Sequence, residues 1–206
     1  MILDYQKNWN DRYGGGKHIF GKKPNAYFKS KLDSLNPGNI YLPGDGEGRN
    51  GVYAAENDWN VTSADFSEIA LARAKEFALH RDVNLDFQLM DLITEELPQN
   101  KYDVVGVSFL HFNGENKGIV HRKLKNTLKI GGYLILECFS RDQIKLNSGG
   151  PRKKDSLYSV EELKSYFKGF DFIEAEEIKI QLNEGDGHQG DAFVVRMFAR
   201  KVEEIL

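Results

Sequence analysis

Hydrophobic positions come along this chain in short blocks separated by polar, glycine-rich or proline-rich breaks, and their period changes from block to block. A polar, aromatic stretch runs to about Lys23 and contains the flexible triplet Gly14-Gly15-Gly16. Pro24 opens a predicted helix through Leu35, which Asn36-Pro37-Gly38 ends with strong turn chemistry. Ile40-Tyr41-Leu42 reads as a short strand that breaks into a glycine-rich loop, and Val52 to Asn57 is helical in character. Asn60 to Ala64 reads as a strand. Ser67 is a natural N-cap for a helix through His80, with Ala70, Leu71, Ala74 and Ala78 at helical spacing. Leu85 to Leu89 alternates as a strand and leads to Asp91. Tyr102 to Phe109 is a nearly unbroken apolar run, as expected of a strand buried on both faces. Lys117 to Lys129 reads as a helix closed by Gly131-Gly132, and Tyr133 to Phe139 as the next buried strand. Ser159-Val160-Glu161-Glu162 has the spacing of a capping box and starts a helix through Phe167. Two strands finish the chain, near Phe172 to Leu182 and Ala192 to Lys201.

Repeated strand–helix units predict an α/β fold, a Rossmann-like doubly wound sheet of seven strands with helices on both faces. A connection of about nine residues between the last two strands is too short for a crossover, so the last strand is expected to run antiparallel. The expected organisation is one domain over residues 1–206, with a helical lid segment over 1–35 and the α/β core over 36–206.

Composition narrows the partners. The 206 residues carry a net charge of −3, which gives no reason to expect a nucleic-acid ligand, although basic residues cluster at Lys22-Lys23 and Arg152-Lys153-Lys154. No run approaches the ~18 consecutive apolar residues of a membrane span, and the first ten residues lack a signal-peptide apolar core, so a cytoplasmic protein is expected. One cysteine, Cys138, excludes an internal disulfide and a cysteine-rich metal site; inside an apolar strand it reads as core. No metal is expected, and the expected oligomeric state is monomer or homodimer.

The sharpest chemical signal is Pro43-Gly44-Asp45-Gly46-Glu47-Gly48-Arg49-Asn50, directly after a strand. Its alternate glycines let main chain approach a ligand closely, and the following helix start offers N–H groups to a carboxylate. Asp65 ends the next strand, where an acid accepts hydrogen bonds from both hydroxyls of a ribose. Asp91, after the third strand, is placed to accept from an adenine amino group. Gly46-Glu47-Gly48-Arg49-Asn50-Gly51 also matches the dinucleotide fingerprint, so the loop alone separates the two cofactor classes poorly. Two features favour a methyltransferase over an NAD-linked oxidoreductase. The Tyr-x-x-x-Lys at Tyr27 to Lys31 precedes the nucleotide loop, and the antiparallel last strand is superfluous for a dinucleotide fold.

The segment from Tyr41 to Leu92 resembles the cofactor half of class I S-adenosylmethionine (SAM)-dependent methyltransferases, and Leu128 to Leu136 resembles their helix–turn–strand signature. More narrowly, Gly46-Glu47-Gly48-Arg49-Asn50, Val61-Thr62-Ser63-Ala64-Asp65, and Trp9, Arg12-Tyr13 and Phe20 to Asn25 are similar to the tellurite-resistance and thiopurine methyltransferase-like group. The resemblance implies SAM as cofactor and S-adenosylhomocysteine as product. It implies a cofactor site drawn from Gly44, Asp45, Gly46, Glu47, Gly48, Asn50, Asp65, Phe66, Asp91, Leu92 and Ser108. It also implies a small-molecule acceptor such as a thiol or chalcogen oxyanion. One position departs: the acid that the family pattern puts two residues before the first glycine is Leu42 here. Asp45 and Glu47 are the candidate replacements, and a SAM-binding protein without catalysis is the remaining alternative.

Acceptor-side candidates follow from the rule that ligands sit at the carboxyl ends of parallel strands. His111 lies beyond the fourth strand and His188 beyond the sixth, and imidazole is the side chain suited to take a proton near neutrality. Trp9, Arg12, Tyr13 and Phe20 are placed to fold over the cofactor as a lid, aromatic faces toward the sulfonium. Ser108-Phe109-Leu110-His111 stands where methyltransferases of nucleic-acid amines carry Asn/Asp-Pro-Pro-aromatic, which argues against that substrate.

Overall fold

The computed structural model describes residues 2–203, so the expected domain ends at Met1 and Leu206 lie outside the described residues. The chain forms α1 (Ile2–Tyr13), α2 (Ala26–Leu32), β1 (Asn39–Pro43), α3 (Arg49–Glu56), β2 (Asn60–Asp65), α4 (Glu68–His80) and β3 (Asp86–Leu89). It continues through β4 (Tyr102–Ser108), α5 (Asn116–Thr127), β5 (Leu128–Phe139), α6 (Val160–Tyr166), β6 (Phe170–Glu184) and β7 (His188–Lys201). The seven strands are ordered β3-β2-β1-β4-β5-β7-β6 in one sheet. β1 to β5 pair in parallel, while β7 runs antiparallel to both β5 and β6. The chain direction reverses its spatial progression between β1 and β4, the switch point at which such sheets bind ligands.

Apolar residues cover both faces. One face packs Tyr41, Val105, Val107, Leu134 and Leu136 against Val120 and Leu124 of α5 and Leu163 of α6. The other packs Ile40, Leu42, Val61, Val104 and Ile135 against Tyr27, Phe28 and Leu32 of α2 and Ala54 of α3. Leu42, at the position of the family's acid, is 2% exposed and belongs to this second core. Cys138 is buried, as expected, with its Sγ against the Leu110 carbonyl at 3.5 Å.

Local chemistry explains most boundaries. Ser67 caps α4, its Oγ accepting from Ala70 N at 3.1 Å. Asn25, not Pro24, caps α2, its Oδ1 accepting from Phe28 N at 2.8 Å, which starts that helix later than expected. Ser159 caps α6 through Glu162 N at 3.3 Å, but Glu162 does not complete the box: its carboxylate pairs with Lys117 and Arg141. The expected helix through Lys129 stops at Thr127, because β5 resumes at Leu128. Gly131 (φ 86) sits in a register shift opposite Tyr102/Val104 instead of closing a helix. The last two strands are joined by Gly185-Asp186-Gly187 alone, tighter than the spacing suggested.

Candidate functional site

β1 delivers the chain into the glycine loop at the carboxyl edge of the sheet. Gly44, Gly46 and Gly48 all take positive φ (66, 62 and 81°), which L side chains adopt rarely. The N–H groups of Gly44 and Asp45 bond to the Ala64 carbonyl at 2.7 and 3.2 Å, tying the loop to the end of β2. Gly48 is needed for packing as well as for turning: a Cβ there would meet the Ala74 Cβ of α4 at 2.8 Å. At Gly46 a Cβ would meet the Tyr13 hydroxyl at 2.8 Å. The loop is thus a backbone cradle with α1 directly above it.

Asp65 ends β2 beneath that cradle and is 5% exposed. Its Oδ2 accepts from Gly46 N and its Oδ1 from Ser67 N, both at 2.9 Å. Burial pushes its carboxyl up to about 6, against the opposing pull of these N–H groups. Phe66 N–H is a third main-chain group acting on this carboxylate, so the acid is oriented by main chain on both sides of the β2 end. These features fit the SAM nucleoside: a glycine cradle for close approach and an oriented acid at the end of β2. Asp91 accepts from Ile93 N at 2.9 Å and lies in the turn after β3, with Leu92 buried next to it in the core. Phe66 offers its carbonyl to Gln6 of α1 at 2.7 Å. Ser108, at the end of β4, is partly exposed along the same edge.

Three side chains expected to face the ligand instead build the loop. Asp45 is half-buried, and its carboxylate turns under α3, with Oδ2 accepting from Ser63 Oγ at 2.9 Å and Gly51 N at 3.2 Å. Because the N-cap of α3 is Gly48, which has no side chain, Asp45 supplies the missing capping acceptor. Burial raises its carboxyl to about 6. Glu47 accepts from Ile19 N at 2.7 Å and pairs with Arg73 at 3.0 Å, fastening residues 18–20 to the loop. Asn50 is buried and accepts from Asn25 N at 2.9 Å.

α1 and the strap after it close over this edge. Tyr13 is buried, and burial, then the nearby carboxylates of Asp65 and Glu47, push its phenol well above the usual range. Ser67 Oγ donates to Asn10 Oδ1 at 2.5 Å, anchoring α1 on the start of α4. The Trp9 face is occupied by the Arg12 guanidinium, 4.4 Å from the ring centroid, where a cofactor sulfonium had been expected. Phe20 packs on His188 at 4.5 Å between ring centroids.

The two histidines separate. His111 is held by main chain on both ring nitrogens: Nδ1 lies 2.8 Å from the Ser156 carbonyl and Nε2 accepts from Phe139 N at 3.2 Å. Burial drives its pKa down to about 3. The expectation that it acts as a base is therefore not met, because a base needs a free nitrogen and His111 has none. His188 sits on β7 among the rings of Phe20, Phe109 and Phe139, with Nδ1 3.3 Å from Glu184 Oε2. Burial, then the charges of Arg49 and Arg12, lower its pKa, and Glu184 opposes them. Phe109 carries φ 53°, a left-handed conformation that costs a bulky residue about 1–3 kcal/mol and concentrates at functional sites. Its N–H bonds to the Glu137 carbonyl at 2.7 Å, which pins it at the end of β4 with its ring on His188.

Sequence reasoning missed the polar junction behind His188. Glu184 pairs with Arg49 at 3.0 Å, and Asn25 Nδ2 donates to Glu184 at 3.1 Å and to Glu137 at 2.6 Å. Arg196 closes the set on Glu137 at 2.6 Å. The short Gly-x-Gly hairpin, which returns β7 beside β6, was the available signal for Glu184 and His188 facing each other. Arg152, the first residue of the basic cluster before α6, bonds to its own loop at Leu146 and Asn147. Among the described residues no group of His, Cys, Asp and Glu is arranged to hold a metal ion, and no helix is long and apolar enough to cross a membrane.

A seven-stranded sheet with a reversed β7, a glycine cradle after β1 and an acid ending β2 together define the SAM-dependent methyltransferase fold. The chain belongs to the family described as "Tellurite resistance protein TehB", whose model matches residues 22–200. The "Probable S-adenosyl-L-methionine-dependent methyltransferase TehB" of Haemophilus influenzae (strain ATCC 51907 / DSM 11121 / KW20 / Rd) is 28% identical over 172 residues, covering 81% of this chain and 58% of that protein. The chain thus spans 58% of the length of that curated relative. The crystal structure of TehB from Haemophilus influenzae superposes with TM-score 0.72 at 23% identity, covering 95% of this chain and 66% of that one. A structure described as "Conversion of a Disulfide Bond into a Thioacetal Group during Echinomycin Biosynthesis" superposes with TM-score 0.78 at 17% identity, covering 96% and 91%.

Proposed function

We propose that this chain is an enzyme that binds SAM at the glycine cradle and passes its methyl group to a small-molecule acceptor, a thiol or a chalcogen oxyanion. The observation that carries the reading is the bond from Gly46 N to Asp65 Oδ2 at 2.9 Å, which locks cradle and ribose acid into one site. Membership of the TehB family supports the cofactor, and the relatives' name supports the reaction. When bound, SAM supplies an activated methyl group on a positively charged sulfur.

The protein's own contribution is mostly positional. Main chain of Gly44, Gly46 and Gly48 admits the methionine end closely, and Asp65 orients the ribose. Asp91, Leu92, Phe66 and Ser108 flank the adenosine side, while Tyr13 and α1 exclude water from above. Phe20, Phe109 and Phe139 wall the acceptor end, where His188 is the group available to take a proton. Holding nucleophile and methyl in line accounts for the larger part of such an acceleration. Asp45, Glu47 and Asn50 belong to the scaffold. No side chain replaces the acid absent at Leu42; the oriented Asp65 and the close approach that the cradle glycines allow hold the cofactor without it.

The test is turnover. Purified protein with SAM and a panel of thiols and chalcogen oxyanions should release S-adenosylhomocysteine only when an acceptor is present. Tight SAM binding with no turnover on any acceptor would leave a cofactor-binding protein without catalysis. An NAD-linked oxidoreductase is disfavoured by the reversed β7 and by the family match.

A further inference from the structure

The junction of Arg49, Glu184 and His188 lies outside every cofactor contact assigned above, yet it is buried and charged. Glu184 has three partners: Arg49 at 3.0 Å, Asn25 at 3.1 Å and His188 Nδ1 at 3.3 Å. Burial alone would raise this carboxyl, but His188 and Arg49 outweigh it and hold the group below the usual range, so it is an anion. A carboxylate has no proton to give, so the Nδ1 of a neutral His188 must carry the hydrogen that points at it. The other nitrogen, Nε2, is then an acceptor. The charged and titratable groups around this ring are Glu184 from β6, Arg49 from α3, Arg12 from α1 and His111 after β4. The ring also packs against those of Phe20, Phe109 and Phe139, and Gly149 approaches its Cδ2–Nε2 edge.

We propose that Glu184 is a positioning residue that fixes His188 with its Nδ1 proton toward the carboxylate, leaving Nε2 to take a proton from an acceptor that arrives neutral and proton-bearing. This rests on the methyltransferase reading. As the new bond to the methyl carbon forms, the acceptor's proton passes to Nε2 and its bonding pair stays on the acceptor atom. The electron pair of the breaking methyl–sulfur bond goes to the leaving sulfur, which becomes a neutral thioether, and His188 later gives its proton to water. Arg49 ties this arrangement to the start of α3, immediately after the glycine loop.

Two thiols of opposite ionisation state separate this role from a structural one. Benzyl mercaptan is protonated near neutral pH, whereas 4-nitrothiophenol is already a thiolate. His188→Gln and Glu184→Gln should each lower kcat for benzyl mercaptan by about a hundredfold, the scale of general-base catalysis, and leave 4-nitrothiophenol turnover largely intact. His188→Gln leaves the Arg49–Glu184 pair in place, which guards against a Glu184 variant that folds poorly. A second readout needs no turnover: 15N NMR of histidine-labelled protein should show the Nδ1–H tautomer of His188 in the wild type and a mixture of tautomers in Glu184→Gln. Equal losses on both thiols, no wild-type turnover of either despite S-adenosylhomocysteine binding, or an unchanged tautomer in Glu184→Gln would overturn the proposal. Failure of the wild type to bind S-adenosylhomocysteine would instead overturn the methyltransferase reading beneath it.

Discussion

The main-chain N–H of Gly46 donates to Asp65 Oδ2 at 2.9 Å, so the glycine loop and the acid at the end of β2 are one structural unit. The ribose acid is oriented by the cradle it serves. Replacing Asp65 with Ala removes one or two hydrogen bonds to a charged partner and should weaken S-adenosylhomocysteine binding by roughly 1.5–4 kcal/mol. Calorimetry on the folded variant checks this. Undiminished affinity would mean that another group holds the ribose.

Binding should also depend on pH, with a sign set by burial. The Asp65 carboxyl is raised to about 6, so the ionised form that accepts from ribose hydroxyls is lost as pH falls through that value. Affinity for S-adenosylhomocysteine should rise up to about tenfold per pH unit below pH 6 and level off above it. For stability the direction is opposite. Asp45 and Asp65, both raised to about 6 in the fold against about 3.9 unfolded, bind more protons when native. Their contribution to stability therefore declines as pH rises from about 4 to 6. Urea unfolding of the wild type and of Asp45→Ala across that range reads the difference.

His111 is expected to matter for folding, not for chemistry. Its Nδ1 and Nε2 join the Ser156 carbonyl to Phe139 N, and removing the ring leaves two buried main-chain groups unpaired. His111→Ala should lose about 1–3 kcal/mol of stability per group left unsatisfied. Methyl transfer per folded molecule should stay near the wild-type level, measured below the variant's unfolding transition. A large fall in kcat with unchanged stability would return His111 to the active site.

Asp45→Ala separates a cap from a ligand. As the acceptor for Gly51 N at the start of α3, Asp45 should contribute about 0.5–2 kcal/mol to stability, with little effect on cofactor affinity. Lost affinity with stability unchanged would show that Asp45 does replace the acid missing at Leu42.

The sheet was readable in the chain because its determinants are local. The apolar runs Tyr102 to Phe109 and Tyr133 to Phe139 became β4 and β5, and the short link before Ala192 announced the reversed β7. The cap at Ser67 and the turn at Gly44 to Gly48 were legible for the same reason. The side-chain assignments within the loop were not. Asp45 and Glu47 look alike in sequence, both acids flanked by glycines, yet one caps α3 and the other meets Arg73 and the strap residue Ile19. Those partners lie on α4 and beyond α1, and no period or spacing brings them together. The same holds for the histidines: His111 is consumed by main chain from the segment before α6, while His188 meets Glu184 only because the hairpin closes in three residues.

The central claim is that the cradle of Gly44 to Gly48 and Asp65 is built for SAM. Calorimetric titration of the purified protein with S-adenosylhomocysteine, run beside NAD and NADH, tests it most directly. The account predicts micromolar binding of S-adenosylhomocysteine and no heat from either dinucleotide. Binding of NAD or NADH with no response to S-adenosylhomocysteine would contradict it.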